Sequence, residues 1–113
     1  MLRLAEYRKR PDALSDWLPW AGLVESGFLD ALVPEGAGGA GLTLAAAFPL
    51  FVVEGRHALP LPMAHTMLVR ALLERAGLGA PPGPIAIAPR TRWAADGSLS
   101  CPGVPCGRVA EWV

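Results

Sequence analysis

The sequence is poor in the features that usually announce a function. Its two cysteines, Cys101 and Cys106, are too few for a disulfide framework or a four-cysteine zinc site. Their C-x-x-x-x-C spacing also misses the redox C-x-x-C pattern, so both read as plain buried thiols. Charge is scarce: only 18% of residues carry one, and ten basic residues cancel ten acidic ones. A neutral chain has no electrostatic footprint for nucleic acid, and the short run Arg8, Lys9, Arg10 reads as a solvated helix end. No apolar run reaches the roughly 20 residues that a membrane-spanning helix needs. The longest, Leu42–Val53, is short and contains Pro49. The N-terminus MLRLAEYRKRPD lacks the ordered regions of a secretory signal. These absences together predict a soluble, cytoplasmic protein.

What the chain has in plenty is hydrophobicity, 52% of its 113 residues. That is too apolar for a disordered segment. It is also more than a domain this small easily hides, because small domains bury a lower fraction of their surface. A packing partner, or membership of a larger protein, is the expectation.

Residues 1–78 carry helical patterns. Met1–Arg10 predicts a short helix stopped by Pro11. Ser15 or Asp16 can cap a second helix to about Ser26, with Pro19 in its first turn and Gly27 as a left-handed C-cap. Leu18, Ala21, Leu23 and Val24 form its apolar face, and Trp17 and Trp20 share one side. Phe28–Val33 reads as one more helical turn, which Pro34 ends. Thr43 is a natural N-cap for a helix through about Gly55, with Leu44, Phe48, Phe51 and Val52 recurring at helical spacing. Pro49 predicts a kink there, or a start delayed to Ala46. After LPLP (59–62), a cleaner helix runs from Met63 to Ala76. Its stripe is Met67, Leu68, Ala71 and Leu72, with Arg70, Glu74 and Arg75 outside and Gly77 closing it.

From residue 79 the pattern changes. GLGAPPGP (77–84) has linker composition. PIAIA alternates like a strand, Trp93–Ser100 holds an Asp-Gly hairpin signal, and Gly107–Val113 opens a further strand. The predicted fold is therefore mainly α: a helical bundle over 1–78, then a linker and an incomplete β domain of a few short antiparallel strands over 79–113. A sheet of two or three short strands is marginal on its own in water. The abrupt end suggests the opening of a domain.

Gly36, Gly38 and Gly41 spell G-x-G-x-x-G, the dinucleotide-binding pattern. That fold needs a strand, the turn, a full helix, a second strand and an acidic residue about 20 positions on. Glu54 follows Gly41 by only 54 − 41 = 13 residues, too few for a helix, a turn and a strand. A steric role is preferred: glycine tolerates positive φ, so the run reverses the chain between two helices.

Two stretches, LVESGFLDALVPEGAGGAGLTLAAA and VEGRHALPLPMAHTMLVRALLERAG, resemble the N-terminal helical domain of the acyl-CoA dehydrogenases. The shared features are a hydrophobic run into V-P-E, then G-G-x-G-L, E-G-R and a proline-broken link to the next helix. DGSLSCPGVPCGRVAEWV resembles the early strands of that family's central β domain. The resemblance implies an N-terminal portion of an FAD-dependent enzyme that removes the α-proton and β-hydride of an acyl-CoA thioester. It also implies a homo- or hetero-oligomer of such subunits. The family holds its flavin between the central β domain and a C-terminal helical region, where the catalytic glutamate generally lies. None of Glu6, Glu25, Glu35, Glu54, Glu74 or Glu111 matches that position, and no Thr-Glu-Pro flavin-loop motif follows PIAIA. So these 113 residues alone are expected to bind no flavin and catalyse nothing, and no catalytic, cofactor-binding or metal residue is assigned. The alternative is a non-catalytic structural subunit that docks on an active relative.

By the same resemblance, Met63 and Met67 are candidates for lining the acyl pocket, although such a stripe also suits plain core. His57 and His65 lack an acidic or nucleophilic partner in sequence and are expected at the surface or at helix ends. Arg108 is read as an ion-pairing or interface residue.

Overall fold

The computed structural model describes residues 18–58 and 61–113. The expected helix at Met1–Arg10, the Ser15 or Asp16 cap and Trp17 lie outside them. The described chain is mainly helical with one small antiparallel sheet. Its helices are α1 (Leu18–Ser26), α2 (Leu44–Arg56) and α3 (Met63–Arg75), and its strands are β1 (Arg92–Trp93) and β2 (Leu99–Ser100). No helix among the described residues is long and apolar enough to cross a membrane.

α1 ends as its sequence predicts, with Gly27 left-handed at φ 77°. Its inner side is narrower than the expected face. Trp20 is buried and Leu23 packs against the core, whereas Ala21 and Val24 are exposed. The expected helical turn after it is a 3-10 turn, Phe28–Asp30. This short segment holds the centre of the core, because Leu29, Ala31, Leu32 and Val33 are all buried. Around them pack Trp20 from α1, Ala47 from α2, and Met63, Met67 and Ala71 from α3.

A buried irregular segment cannot pair its own carbonyls through a helix or sheet ladder, so donors must come from elsewhere. The glycine run supplies them. Ala40 N–H donates to the Asp30 carbonyl (3.1 Å), Leu42 to Ala31 (2.9 Å) and Gly41 to Val33 (2.9 Å). To come so close the loop must shed side chains. A Cβ on Gly39 would overlap the Val33 carbonyl oxygen and stand 2.6 Å from that of Asp30. Gly38 and Gly41 are needed for conformation, at φ 89° and 63°. Gly36 faces open space with no positive φ.

Thr43 then starts α2, its side chain accepting from Ala46 N–H at 3.1 Å. The secured first turn keeps the helix start at Leu44, so the delayed start at Ala46 is not seen, and Pro49 sits within the helix. The orientation of α2 departs from the expectation. Ala47, Leu50 and Phe51 face the core, while Leu44, Phe48 and Val52 point outward at 58%, 60% and 46% exposure. α3 fits better. Met67 and Ala71 are buried, Leu68 is half-buried, and only Leu72 turns out to solvent. Its end is a Schellman motif: Gly77, at φ 71°, donates to Glu74 and Leu78 donates back to Leu73.

The Asp-Gly hairpin forms. Arg92 pairs with Ser100 and Trp93 with Leu99, and Gly97 takes φ 81° at the turn. The Ser98 hydroxyl and amide hold the Asp96 carboxyl below its ordinary range. PIAIA does not become a strand. It makes one bridge, Ile85 with Trp112, and that bridge is parallel rather than antiparallel. The reason is competition for its amides, since Ile85 N–H goes to Thr66 and Ile87 N–H to His65, both on α3.

The glycine loop generates a contrast measurable by urea unfolding. Gly39→Ala should lose about 3 kcal/mol or more, because the added methyl meets backbone that cannot yield. Gly36→Ala should stay within about 0.5 kcal/mol of the parent. Equal effects at the two positions would refute the close-approach account.

Candidate functional site

Polar side chains gather around α3, and their geometry shows what each does. Pro62 stands at the N-cap of α3 and offers no side-chain cap. Glu54, on α2, does so from outside: its two carboxylate oxygens accept from Met63 N–H and Ala64 N–H, each at 3.1 Å. A carboxylate at this end satisfies two orphan donors and opposes the positive end of the helix dipole. The acid that the glycine pattern seemed to await is thus a helix cap.

One turn further along, Thr66 is fully buried. Its hydroxyl donates to the Pro62 carbonyl at 2.6 Å and accepts from Ile85 N–H at 3.0 Å. On its neighbour His65, Nδ1 accepts from Ile87 N–H at 3.2 Å. Arg70 reaches in two directions. Nε donates to Asp30 at 2.7 Å, and Nη1 donates to the Pro81 carbonyl at 3.2 Å. Glu74 accepts from Ala80 N–H at 3.0 Å. Arg70 and Glu74, expected to be plain outward residues, therefore tie residues 80 and 81 to the helix. The proline carbonyls of that stretch are occupied as well. Pro82 accepts from the Trp112 indole at 2.7 Å, and Pro84 from Glu111 and Trp112 N–H at 2.9 and 3.1 Å. Sequence reading missed these roles because they join residues 6 to 40 positions apart, with no pattern inside one element to mark them. The tightness of the proline spacing was the only signal available.

Every buried side-chain polar atom among the described residues has a partner, and no group of three or more metal-ligating residues occurs there. Met63 and Met67, the candidates for an acyl pocket, both sit in the core, Met67 with no exposed surface. His57 is an exposed residue closing α2. Arg108 is exposed. Cys101 and Cys106 are free and half-buried, not buried. Burial, and secondarily the charge of Glu54, pushes the Cys106 thiol above its ordinary value. A raised value moves it away from the thiolate, the form that reacts.

A flavin or dinucleotide phosphate would need unpaired amides, and the loop from Ala37 through Leu42 has none to give. From Ala37 through Leu42 each N–H donates to a carbonyl between Asp30 and Glu35. The loop from Ala37 through Leu42 therefore does not fit that group. No family model, curated protein or solved structure matches the chain.

Two measurements test this assignment of roles. Glu54→Gln should cost about 1–2 kcal/mol in chemical unfolding, as the loss of a charged helix cap does, and Thr66→Val about 1–3 kcal/mol, with faster hydrogen exchange at the Ile85 amide. An unchanged midpoint for either would remove that stitch. In a Cys101→Ser background, the alkylation of Cys106 should rise with pH only above the range of an unperturbed thiol. Adding Glu54→Gln should lower that range. A midpoint at or below the ordinary cysteine value would contradict the burial of the thiol.

Proposed function

We propose that this chain is the N-terminal portion of an acyl-CoA dehydrogenase-like flavoprotein, comprising its helical domain and the opening of its β domain. The observation that carries the reading is what the motif residues do. Gly39 and Gly41 set the chain reversal after V-P-E, and Glu54 of E-G-R caps the next helix across the proline-broken link. The resemblance thus rests on residues that shape a backbone. None of them is reactive, so the likeness is one of scaffold.

On this reading the intact protein binds FAD and an acyl-CoA and dehydrogenates the thioester between its α and β carbons. The flavin accepts the hydride when bound. These 113 residues supply neither the carboxylate for the proton nor the flavin cradle. They contribute a wall. An acyl chain running along α3 would meet the half-buried Leu68 and the exposed Leu72 before Met63 and Met67, which stand behind them in the core.

A second reading, a non-catalytic subunit docking on an active relative, is favoured by one observation: the outer side of α2 is apolar. Leu44, Phe48 and Val52 are exposed where a lone domain would place polar residues.

The two readings part on a direct test. The coding sequence beyond Val113, checked by the intact mass of the native protein, should continue through a β domain into a helical region bearing a carboxylate. A native polypeptide of 113 residues that co-purifies with a flavin-bearing subunit would favour the docking subunit instead. Purified as it stands, the 113-residue chain should be colourless and should not oxidise acyl-CoA with an artificial electron acceptor. A yellow, active preparation would overturn both.

A further inference from the structure

The hairpin stands on a narrow footing. β1 pairs with β2, and the other hydrogen bonds of residues 88–106, among the described residues, reach no further than Ala110. At its exit this arm is fixed by packing, since Val109 lies against the core and Ala110 is buried. At its entry the last hydrogen bond to the helices runs from Ile87 N–H to His65 Nδ1, at 3.2 Å. Ile85 and Ala86 just before it are buried, whereas Ile87 is 38% exposed. Burial therefore holds Ile87 less firmly than its two neighbours.

Two side chains of α3 receive this entry, and they differ in chemistry. The Thr66 hydroxyl, which accepts from Ile85 N–H at 3.0 Å, does not change charge near neutral pH. Imidazole is the side chain that ordinarily does so between pH 5 and 8. To accept at Nδ1, the His65 ring must be neutral, with its own proton on Nε2. A second proton can go only to Nδ1, the atom that Ile87 uses. Proton and amide compete for one lone pair, so the bond exists above the titration of the ring and is lost as pH falls through it. Two donors then face each other. His65 is half-buried, which leaves the ring open to protons.

The charged groups around the ring are otherwise engaged or lie further along the chain. Glu54, reaching from α2, accepts from Met63 and Ala64 N–H, and the thiol near enough to feel its charge is Cys106. Arg70, further along α3, is bound to Asp30 and Pro81. Residues 84–88 carry no charge. Beyond them stand Arg90, exposed, and Glu111, whose carboxylate lies over Gly83. His57 is exposed at the end of α2.

We propose that His65 is a pH-sensitive latch on the hairpin arm: its neutral imidazole holds Ile87 to α3, and its protonation releases residues 88–106 at their entry. The test is NMR of the 113-residue chain between about pH 8 and pH 5, with each amide exchange rate divided into its intrinsic rate at that pH. Protection at Ile87 should fall about three- to tenfold, the contribution of one hydrogen bond, in step with the ring protons of His65. Ile85, held by Thr66, should keep its protection within about twofold. The heteronuclear NOE of residues 90–100 should drop over the same range as the arm loosens. His65→Gln removes the titrating nitrogen and should make both readouts independent of pH, while His57→Gln should behave as the parent does. Circular dichroism matching the parent shows that each variant keeps the fold. Protection at Ile87 that stays constant while His65 titrates overturns the latch. So does a pH dependence that survives His65→Gln, or loss of the bond with no change in the motion of residues 90–100.

Discussion

The structure depends on one requirement: the carbonyls of a buried, irregular segment must find donors. Residues 29–33 enter the core as a 3-10 turn and its continuation, with neither a helix ladder nor a sheet edge to serve them. The loop answers by folding back so that the amides of residues 40–42 go to Asp30, Val33 and Ala31. Everything downstream takes its position from that return. It sets where Thr43 begins α2, hence where Glu54 arrives to cap α3, and Asp30 itself receives Arg70 from the far side of the core.

α3 is the second organiser, and it works through side chains. Thr66 and His65 take amides from the segment 85–87 that a neighbouring strand would ordinarily take. Arg70 and Glu74 hold the preceding turn. A helix thereby stands in for a sheet edge, and the only strand-like contact left to residue 85 is its parallel bridge to Trp112. The prolines at 81, 82 and 84 suit this arrangement. They lack donors, and their carbonyls are all used as acceptors.

These two constraints also dispose of the chemistry that the sequence seemed to promise. The glycine pattern and the acid after it have the residue types of a nucleotide site. In the fold, the amides of residues 37–42 face carbonyls and the carboxylate faces a helix end, so neither is available to a ligand. What remains unsatisfied is apolar surface, on α2 above all. The excess hydrophobicity of the composition and the outward ridge of that helix are one fact seen at two levels.

Local features were readable without the fold, because short-range sterics govern them. Gly27 and Gly77 closing helices, Thr43 opening one and the Asp-Gly turn of the hairpin depend on neighbours within a few residues. The shortage of room between Gly41 and Glu54 was likewise a matter of counting. Other features depended on which partner won. Periodicity marked Leu44, Phe48, Phe51 and Val52 as the apolar residues of α2, but not that Phe51 would turn inward with Ala47 and Leu50 while the other three face out. Alternation in PIAIA was real, yet α3 outbid any strand for its amides. Composition marked 77–84 as a linker, and long-range hydrogen bonds from α3 and Trp112 pinned it. Sequence alone determined where this chain can turn, that Thr43 can open a helix and that Gly27 and Gly77 can close one. Only the tertiary structure decided which faces meet, because burial and hydrogen bonding are settled between residues far apart in the chain.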